Sequence, residues 1–384
     1  MKLTGDWIRK APTQSVCRLL ESAGFQALFV GGCVRDDLLG VPVRDIDIAT
    51  DARPDRVIAL AKAAGLKAVP TGLEHGTITV VANGVPHEVT TFRKDVETDG
   101  RRATVAFSDD VEEDAHRRDF TMNALYARSD GELIDPLNGL PDLESRHVRF
   151  IEDPEQRIRE DYLRILRFFR FHAWYGSGGL DTDGLAACAK LAEGIQTLSK
   201  ERVGSEVLKL LAAPEPAAAV ASMRCAGILR HILPGADDSL LGPLVHLEQS
   251  LSVPVDPVRR LAALGGSDQA EHLRLSRSQT KQLAQILRGL TAASGAGEIG
   301  YRFGKEAGVD ILLLRSAAEN REPSEIELET IAQGASADFP VSAADLMPAY
   351  QGPALGEKLS ELERKWIESG FTLGRQDLLG SDLS

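Results

Sequence analysis

Apolar residues recur at helical spacing over residues 11–24, and "FQALFV" (25–30) then reads as a strand. A glycine pair, Gly31-Gly32, breaks the chain before a short amphipathic helix, "VRDDLL". "RDIDIAT" (44–50) alternates with period two, which predicts a strand. "RPDRVIALAKAAG" predicts a helix stopped by Gly65. "GTITVVANGVPHEVTTF" (76–92) predicts two strands joined at Asn83-Gly84, a strong short hairpin signal.

Residues 93–110, "RKDVETDGRRATVAFSDD", lose all periodicity and read as a mobile loop beside the active site. "AHRRDFTMNALYA" (115–127) resumes a helical pattern, with Arg117, Arg118 and Asp119 opening the helix, and a turn-rich stretch closes the first unit. From about Asp153 onward the pattern is almost wholly helical, broken at Pro and Gly, with no internal repeat. The expectation is a small mixed α/β unit followed by a long helical remainder.

Composition sharpens this picture. With 43% apolar and 26% charged residues in 384, the chain can bury a large core. A net charge of −13 argues against a non-specific, strongly basic nucleic-acid binder, and any RNA-binding face must be local. Cys17, Cys33, Cys188 and Cys225 form no CxxC pair, so neither a zinc site nor a disulfide framework is expected. The start of the chain lacks the apolar core of a signal peptide. No apolar run approaches the ~20 residues that would span a bilayer, so a cytoplasmic protein without a membrane partner is expected.

Candidate chemistry begins at "GGCVRDDLLGVPVRDIDIAT" (31–50). Strand alternation puts Asp45 and Asp47 on one face, with Ile46 and Ile48 toward the core. Two carboxylates so close repel unless a cation lies between them, and hard oxygen ligands suit Mg²⁺. Gly32 at a helix start lets backbone N–H groups approach an anion, and Arg35 lies one turn on. Together these parts read as a nucleoside-triphosphate site for metal-dependent nucleotidyl transfer. Glu88, in "PHEVTTF", is the candidate for a third carboxylate.

This ordered stretch resembles the head domain of the tRNA nucleotidyltransferase/poly(A) polymerase family, within the polymerase β-like nucleotidyltransferases; the bacterial and eukaryotic CCA-adding type is the closest resemblance. "RRDFTMNAL" (117–125) is similar to the family's second motif. The resemblance implies that Arg118 contacts the nucleotide, while Asp119 and Asn123 hold the motif's geometry. "EDPEQRIREDYLRILRFFRF" (152–171), projected as one helix, puts Ile158, Tyr162, Ile165, Leu166 and Phe169 on a core stripe. Asp161, Arg164, Arg167 and Arg170 form a turning row on the other side. Glu160, Asp161 and Arg164 resemble the family's EDxxR motif. By that resemblance Asp161 and Arg164 read the incoming base, while Arg167 and Arg170 bind triphosphate or orient the pair. A carboxylate only accepts hydrogen bonds and a guanidinium only donates them. That pattern fits the amino group and ring nitrogen of cytosine and adenine, and rejects uracil and guanine.

"SKERVGSEVLKLL" (199–211) resembles the next motif, with Arg202 and Glu206 read as an i,i+4 structural brace. The tail, 339–371, resembles the C-terminal segment of CCA-adding enzymes; Leu355, Leu359, Leu362 and Trp366 share its apolar stripe. The implied fold class is α+β: a polymerase β-like nucleotidyltransferase head with a mixed sheet (1–145), then an all-helical neck (146–212), body and tail (213–384). The implied activity is C, C and A addition to the tRNA 3′ end from CTP and ATP, with Mg²⁺ as cofactor and no nucleic-acid template. Two other readings remain: a poly(A) polymerase sharing the same head, and a catalytically silent RNA-binding protein.

Overall fold

A computed structural model describes residues 1–98 and 103–380. The chain forms two compact units, Met1–Glu206 with Ser222–Ile232, and Val207–Ala221 with Leu233–Ser384.

The first unit opens with helices α1 (Asp6–Arg9) and α2 (Ala11–Glu21), then strand β1 (Leu28–Val30) and helix α3 (Gly32–Leu38). Strand β2 (Asp47–Thr50), helix α4 (Pro54–Ala63) and strands β3 (Lys67–Gly72), β4 (Thr77–Ala82) and β5 (Val85–Thr91) follow. The Asn83-Gly84 turn joins β4 to β5 with Ala82 opposite Val85. Both turn residues have positive φ, 48° and 81°, the conformation that such tight turns require. Strands β6 (Arg93–Thr98) and β7 (Ala103–Phe107) form a separate antiparallel pair. Helix α5 (Val111–His116), a 3₁₀ turn (Thr121–Asn123) and strands β8 (Tyr126–Arg128) and β9 (Leu133–Ile134) complete the sheet region.

Seven strands form one mixed sheet in the order β3-β4-β5-β2-β1-β8-β9. Only β2 and β5 pair in parallel, placing Asp47 beside Glu88. Alternation along β2 and its neighbours buries Phe29, Ile48, Ile78, Val80 and Val89 completely. Helices α2 and α4 pack on this sheet through Val16, Leu20, Val57 and Ala61.

Between residues 93 and 127 two segments differ from the sequence reading. Residues 93–110 were expected to form an unstructured loop; instead β6 and β7 pair, with Arg93 opposite Phe107. Residues 99–102 of that stretch lie outside the described residues. The expected helix over 115–127 stops at His116, so Arg117, Arg118 and Asp119 follow a helix rather than open one. Phe120 is extended and bridges Phe150, and Asp119 accepts the Phe120 amide at 2.9 Å. A short acidic side chain that bonds its neighbouring backbone competes with the helix for those groups.

Helices α6 (Leu140–Glu144), α7 (Pro154–Glu160), α8 (Leu163–Tyr175), α9 (Thr182–Lys190) and α10 (Lys200–Leu211) follow. Asp153 caps α7 by accepting the Gln156 amide, and Pro154 occupies its first turn. The single helix expected over 152–171 is broken at Asp161, which is extended (φ −155°, ψ 106°). Its side chain accepts the amide of Leu163, the first residue of α8, at 3.1 Å. The break lets α8 bury two faces. Ile165, Leu166 and Phe169 are buried on the expected stripe, and Phe168 and Phe171 join Phe120 and Phe150 in an aromatic cluster.

The second unit is helical. Its helix Ala296–Ala318 is interrupted at Gly304 (φ 82°, ψ 171°). Arg260, 1% exposed, and Arg259 both pair with the buried Glu248, and Arg259 also pairs with Asp310. Leu362 and Trp366 of the helix Pro353–Glu368 are buried among Phe339, Leu355, Leu359 and Phe371. Among the described residues, no helix is long and apolar enough to cross a membrane.

Candidate active site

The site grows from the junction of β1 and α3. Gly31 has φ 67°, a left-handed conformation that a side chain would strain. A Cβ there would stand 3.5 Å from Arg118 Nη1. The turn starts α3 at Gly32, whose N-terminal N–H groups are unsatisfied within the helix.

Asp47 opens β2, and Asp45 lies two residues earlier, exposed, before the strand begins. The parallel pairing reaches this segment: Glu88 N donates to Ile46 O at 3.2 Å. Ile48 is fully buried and Ile46 half-buried, as alternation requires. Burial first, then the negative charges of Glu88 and Asp45, push the Asp47 carboxyl up to about 6 against the opposing charge of Arg118. Asp45, Asp47 and Glu88 thus form a repelling acidic group at one edge of a buried strand, the situation a cation resolves. Among the described residues no group of three or more His, Cys, Asp or Glu forms a ready-made metal cage. Mg²⁺ does not demand one; it binds through one or two carboxylates and keeps positions for water and substrate phosphates. The donor set fits that ion.

Arg118 is held by neighbours. Its Nε and Nη2 donate to Asp114 Oδ2 at 3.2 and 2.9 Å, and Nε also reaches Tyr126 Oη at 3.0 Å. Asp119 accepts from Asn123 Nδ2 at 2.9 Å and from Arg167 Nε at 2.7 Å. Burial alone would raise the Asp119 carboxyl; Arg167 and the Asn123 amide outweigh it and hold it well below the usual carboxylate range.

Arg35, expected at the phosphates, is instead buried. Its guanidinium donates to Asp36, to Asn123 Oδ1 at 2.7 Å and to Tyr175 Oη at 2.8 Å, and it stacks 3.9 Å from the Tyr175 ring centre. One chain of bonds therefore runs from α3 through Asn123 and Asp119 to Arg167 on α8. Arg170, also expected near the nucleotide, donates to Glu206 at 2.6 Å and lies over Phe171.

The EDxxR segment comes together differently from a helical row. Glu160 sits between Arg157 and Arg164, 2.5 Å from each. Arg164 also donates to the carbonyls of Arg157 and Arg117. Asp161, a third exposed, accepts from Arg202 at 2.7 Å. Arg202 and Glu206 therefore brace this segment by reaching across to Asp161 and Arg170. Sequence reasoning missed Asp114, Tyr126 and Tyr175. Asp114 carried a signal, an acid four residues before Arg118 in a stretch of helical pattern; Tyr175, 140 residues from Arg35, carried none.

A mixed sheet bearing paired carboxylates beside a glycine turn and a buried arginine defines a nucleotidyltransferase head. Comparison with known proteins agrees. Residues 27–149 match the family model of the "Poly A polymerase head domain", and residues 180–240 match the "Probable RNA and SrmB- binding site of polymerase A". The CCA-adding enzyme of Limosilactobacillus fermentum is 31% identical across 96% of this chain and 95% of its own. That of Streptococcus gordonii is 34% identical across 91% and 90%. The crystal structure of the Bacillus stearothermophilus CCA-adding enzyme in complex with CTP superposes with a TM-score of 0.72, 28% identity and 94% coverage of both chains. This chain belongs to the CCA-adding enzyme family of nucleotidyltransferases.

Proposed function

We propose that this chain adds C, C and A in turn to the 3′ end of tRNA, using CTP and ATP and no nucleic-acid template. The observation that carries the chemistry is the register of Asp47 against Glu88 beside the Gly31–Arg118 contact. Asp45 and Asp47 would hold Mg²⁺, which when bound neutralises triphosphate charge and makes the RNA 3′-hydroxyl a better nucleophile. The 3′ oxygen attacks the α-phosphorus, a new phosphodiester forms, and pyrophosphate leaves. Gly32, at the start of α3, offers backbone N–H groups to the triphosphate. Arg118 and the partly exposed Arg167 supply positive charge to it. Arg35 and Arg170 act one step back, bracing the glycine turn and α8.

Asp161 and Arg164 select the base. A carboxylate facing the amino group of cytosine or adenine is satisfied; facing the carbonyl of uracil or guanine it opposes two acceptors. A bidentate contact of this kind discriminates by about 1–3 kcal/mol. In this division of labour residues 1–145 form the catalytic head, 146–212 the selecting neck, and 213–384 the tRNA-binding body and tail. Unpaired cysteines fit a reducing, cytoplasmic setting.

Purified protein supplied with tRNA lacking its 3′ CCA and with each labelled NTP separately tests the reading. Two C residues and one A, then arrest, are expected. Long A tails would instead make it a poly(A) polymerase, and no incorporation a silent RNA-binding protein. Asp161→Ala is expected to admit UTP while leaving tRNA affinity within about twofold, because a solvent-facing base-reading group far outweighs in selectivity what it adds to RNA binding.

A further inference from the structure

Asp114 is 2% exposed, and a buried carboxylate is costly unless it is paired. Its two oxygens serve different masters. Oδ2 accepts from Arg118 Nε and Nη2 and from Tyr126 Oη, the last at 2.8 Å. Oδ1 accepts the backbone N–H of Arg93, the first residue of β6, at 3.2 Å. We propose that Asp114 and Tyr126 are positioning residues for nucleotide binding: they fix the plane of Arg118 and tie it to the root of the β6–β7 hairpin. The inference rests on Arg118 meeting the triphosphate, as proposed above.

The geometry argues this in three steps. First, a guanidinium is planar, so two N–H groups bound on one edge fix its whole plane. With Nε and Nη2 engaged, Nη1 is the edge left beside Gly31, at the start of the phosphate-facing turn. The fully buried Tyr126 closes the triangle, accepting from Arg118 while donating to Asp114.

Second, Arg118 stands beside Gly31, at the turn between β1 and α3 that adjoins the acidic edge of β2. A free cation there would be drawn toward the carboxylates of that edge and would compete with a metal ion for them. Asp114, 2.9 Å from Arg118 Nη2, pairs with it and opposes that movement.

Third, the same helix grips β6 and the residue that follows β7. Beside the Arg93–Asp114 bond, Lys94 Nζ reaches Glu113 at 3.3 Å, and Ser108 Oγ donates to the other Glu113 oxygen. Ser108 N bonds Phe92 O at 2.8 Å and closes the root. Displacing the hairpin root therefore pulls on α5 at Glu113 and Asp114, one turn before Arg118.

Three variants separate these roles: Asp114→Asn, Asp114→Ala and Tyr126→Phe. The asparagine keeps an oxygen for the Arg93 amide but loses the charge that holds Arg118. It is expected to weaken CTP binding, read by calorimetry, about tenfold, the scale of a lost hydrogen bond to a charged group. It raises the KM for CTP by a similar factor, leaves the KM for tRNA and the kcat near wild type, and preserves hydrogen-exchange protection at Arg93 and Lys94. Asp114→Ala gives the same loss of CTP affinity with faster exchange at those amides. Tyr126→Phe, which keeps the ring and the core, weakens CTP about threefold.

Wild-type CTP affinity in Asp114→Asn and Tyr126→Phe would overturn the positioning role. So would a loss of CTP and tRNA binding together in proportion to a fall in Tm. Unchanged exchange in Asp114→Ala would overturn the link to the hairpin. A wild-type protein that binds CTP but extends no tRNA counts against the proposed function alone, since the variants are scored on binding.

Discussion

Asp47 sits where a lone carboxylate is least comfortable. Its folded pKa, pushed up to about 6 by burial and by Glu88, lies above the ordinary 3.8, so the folded chain binds that proton more tightly than the unfolded chain. Linkage then gives the sign: this group favours folding fully below pH ~4, and its contribution is lost as pH rises through about 6. In metal-free protein, Asp47→Asn is therefore expected to raise Tm at pH 8 and leave it nearly unchanged at pH 4, as scanning calorimetry would register, while abolishing incorporation. Because only the ionised form binds a cation, the affinity of the metal-free protein for Mg²⁺ is expected to fall as pH drops through about 6, as titration calorimetry would register. Glu88→Gln removes a negative neighbour and moves that acid limb to lower pH. Asp119 has the opposite balance: Arg167 and Asn123 overcome its burial. Asp119→Asn is expected to destabilise by about 2 kcal/mol, the scale of a lost charge-assisted bond, in chemical denaturation at pH 7.

At the scale of elements, β4, β5, β2 and β1 in the middle of the sheet were legible, whereas β3, β8 and β9 were not. Period-two alternation and Asn83-Gly84 announced β4 and β5, and the glycine pair announced the β1–α3 turn. The strand expected over 44–50 begins only at Asp47, so Asp45 lies just before it rather than on its face. The end of α5 was not. Phe120, Met122, Ala124 and Leu125 are all buried, and a continuous apolar run does not separate a helix from an extended segment packed on both sides. The break at Asp161 was hidden for a related reason, since apolar spacing continues through it and only the bond from the Leu163 amide to its side chain marks it. The burial of Arg35 was not legible because its acceptors, Asn123 and Tyr175, come from distant parts of the chain. The broken helix makes Asp161 depend on α10 for its orientation. Arg202→Ala is thus expected to permit UTP incorporation, more weakly than Asp161→Ala does, in single-turnover assays with each NTP.

At the scale of the whole molecule, the helical remainder was legible as helical but not in its interior chemistry. Nothing local in the sequence says that Glu248 is buried between Arg259 and Arg260, or that Arg260 also donates to the carbonyls of Leu211 and Ala213. Removing one partner of a buried ion pair leaves the others uncompensated and costs about 3–5 kcal/mol. Glu248→Ala is expected to lose that much in urea titration, far more than removal of an exposed ion pair such as Lys2–Asp130. The triad also carries an evolutionary constraint. Any one-at-a-time exchange among Glu248, Arg259 and Arg260 passes through a poorly folded ancestor, so descendants are expected to inherit the three as a block or to replace them together with an apolar set.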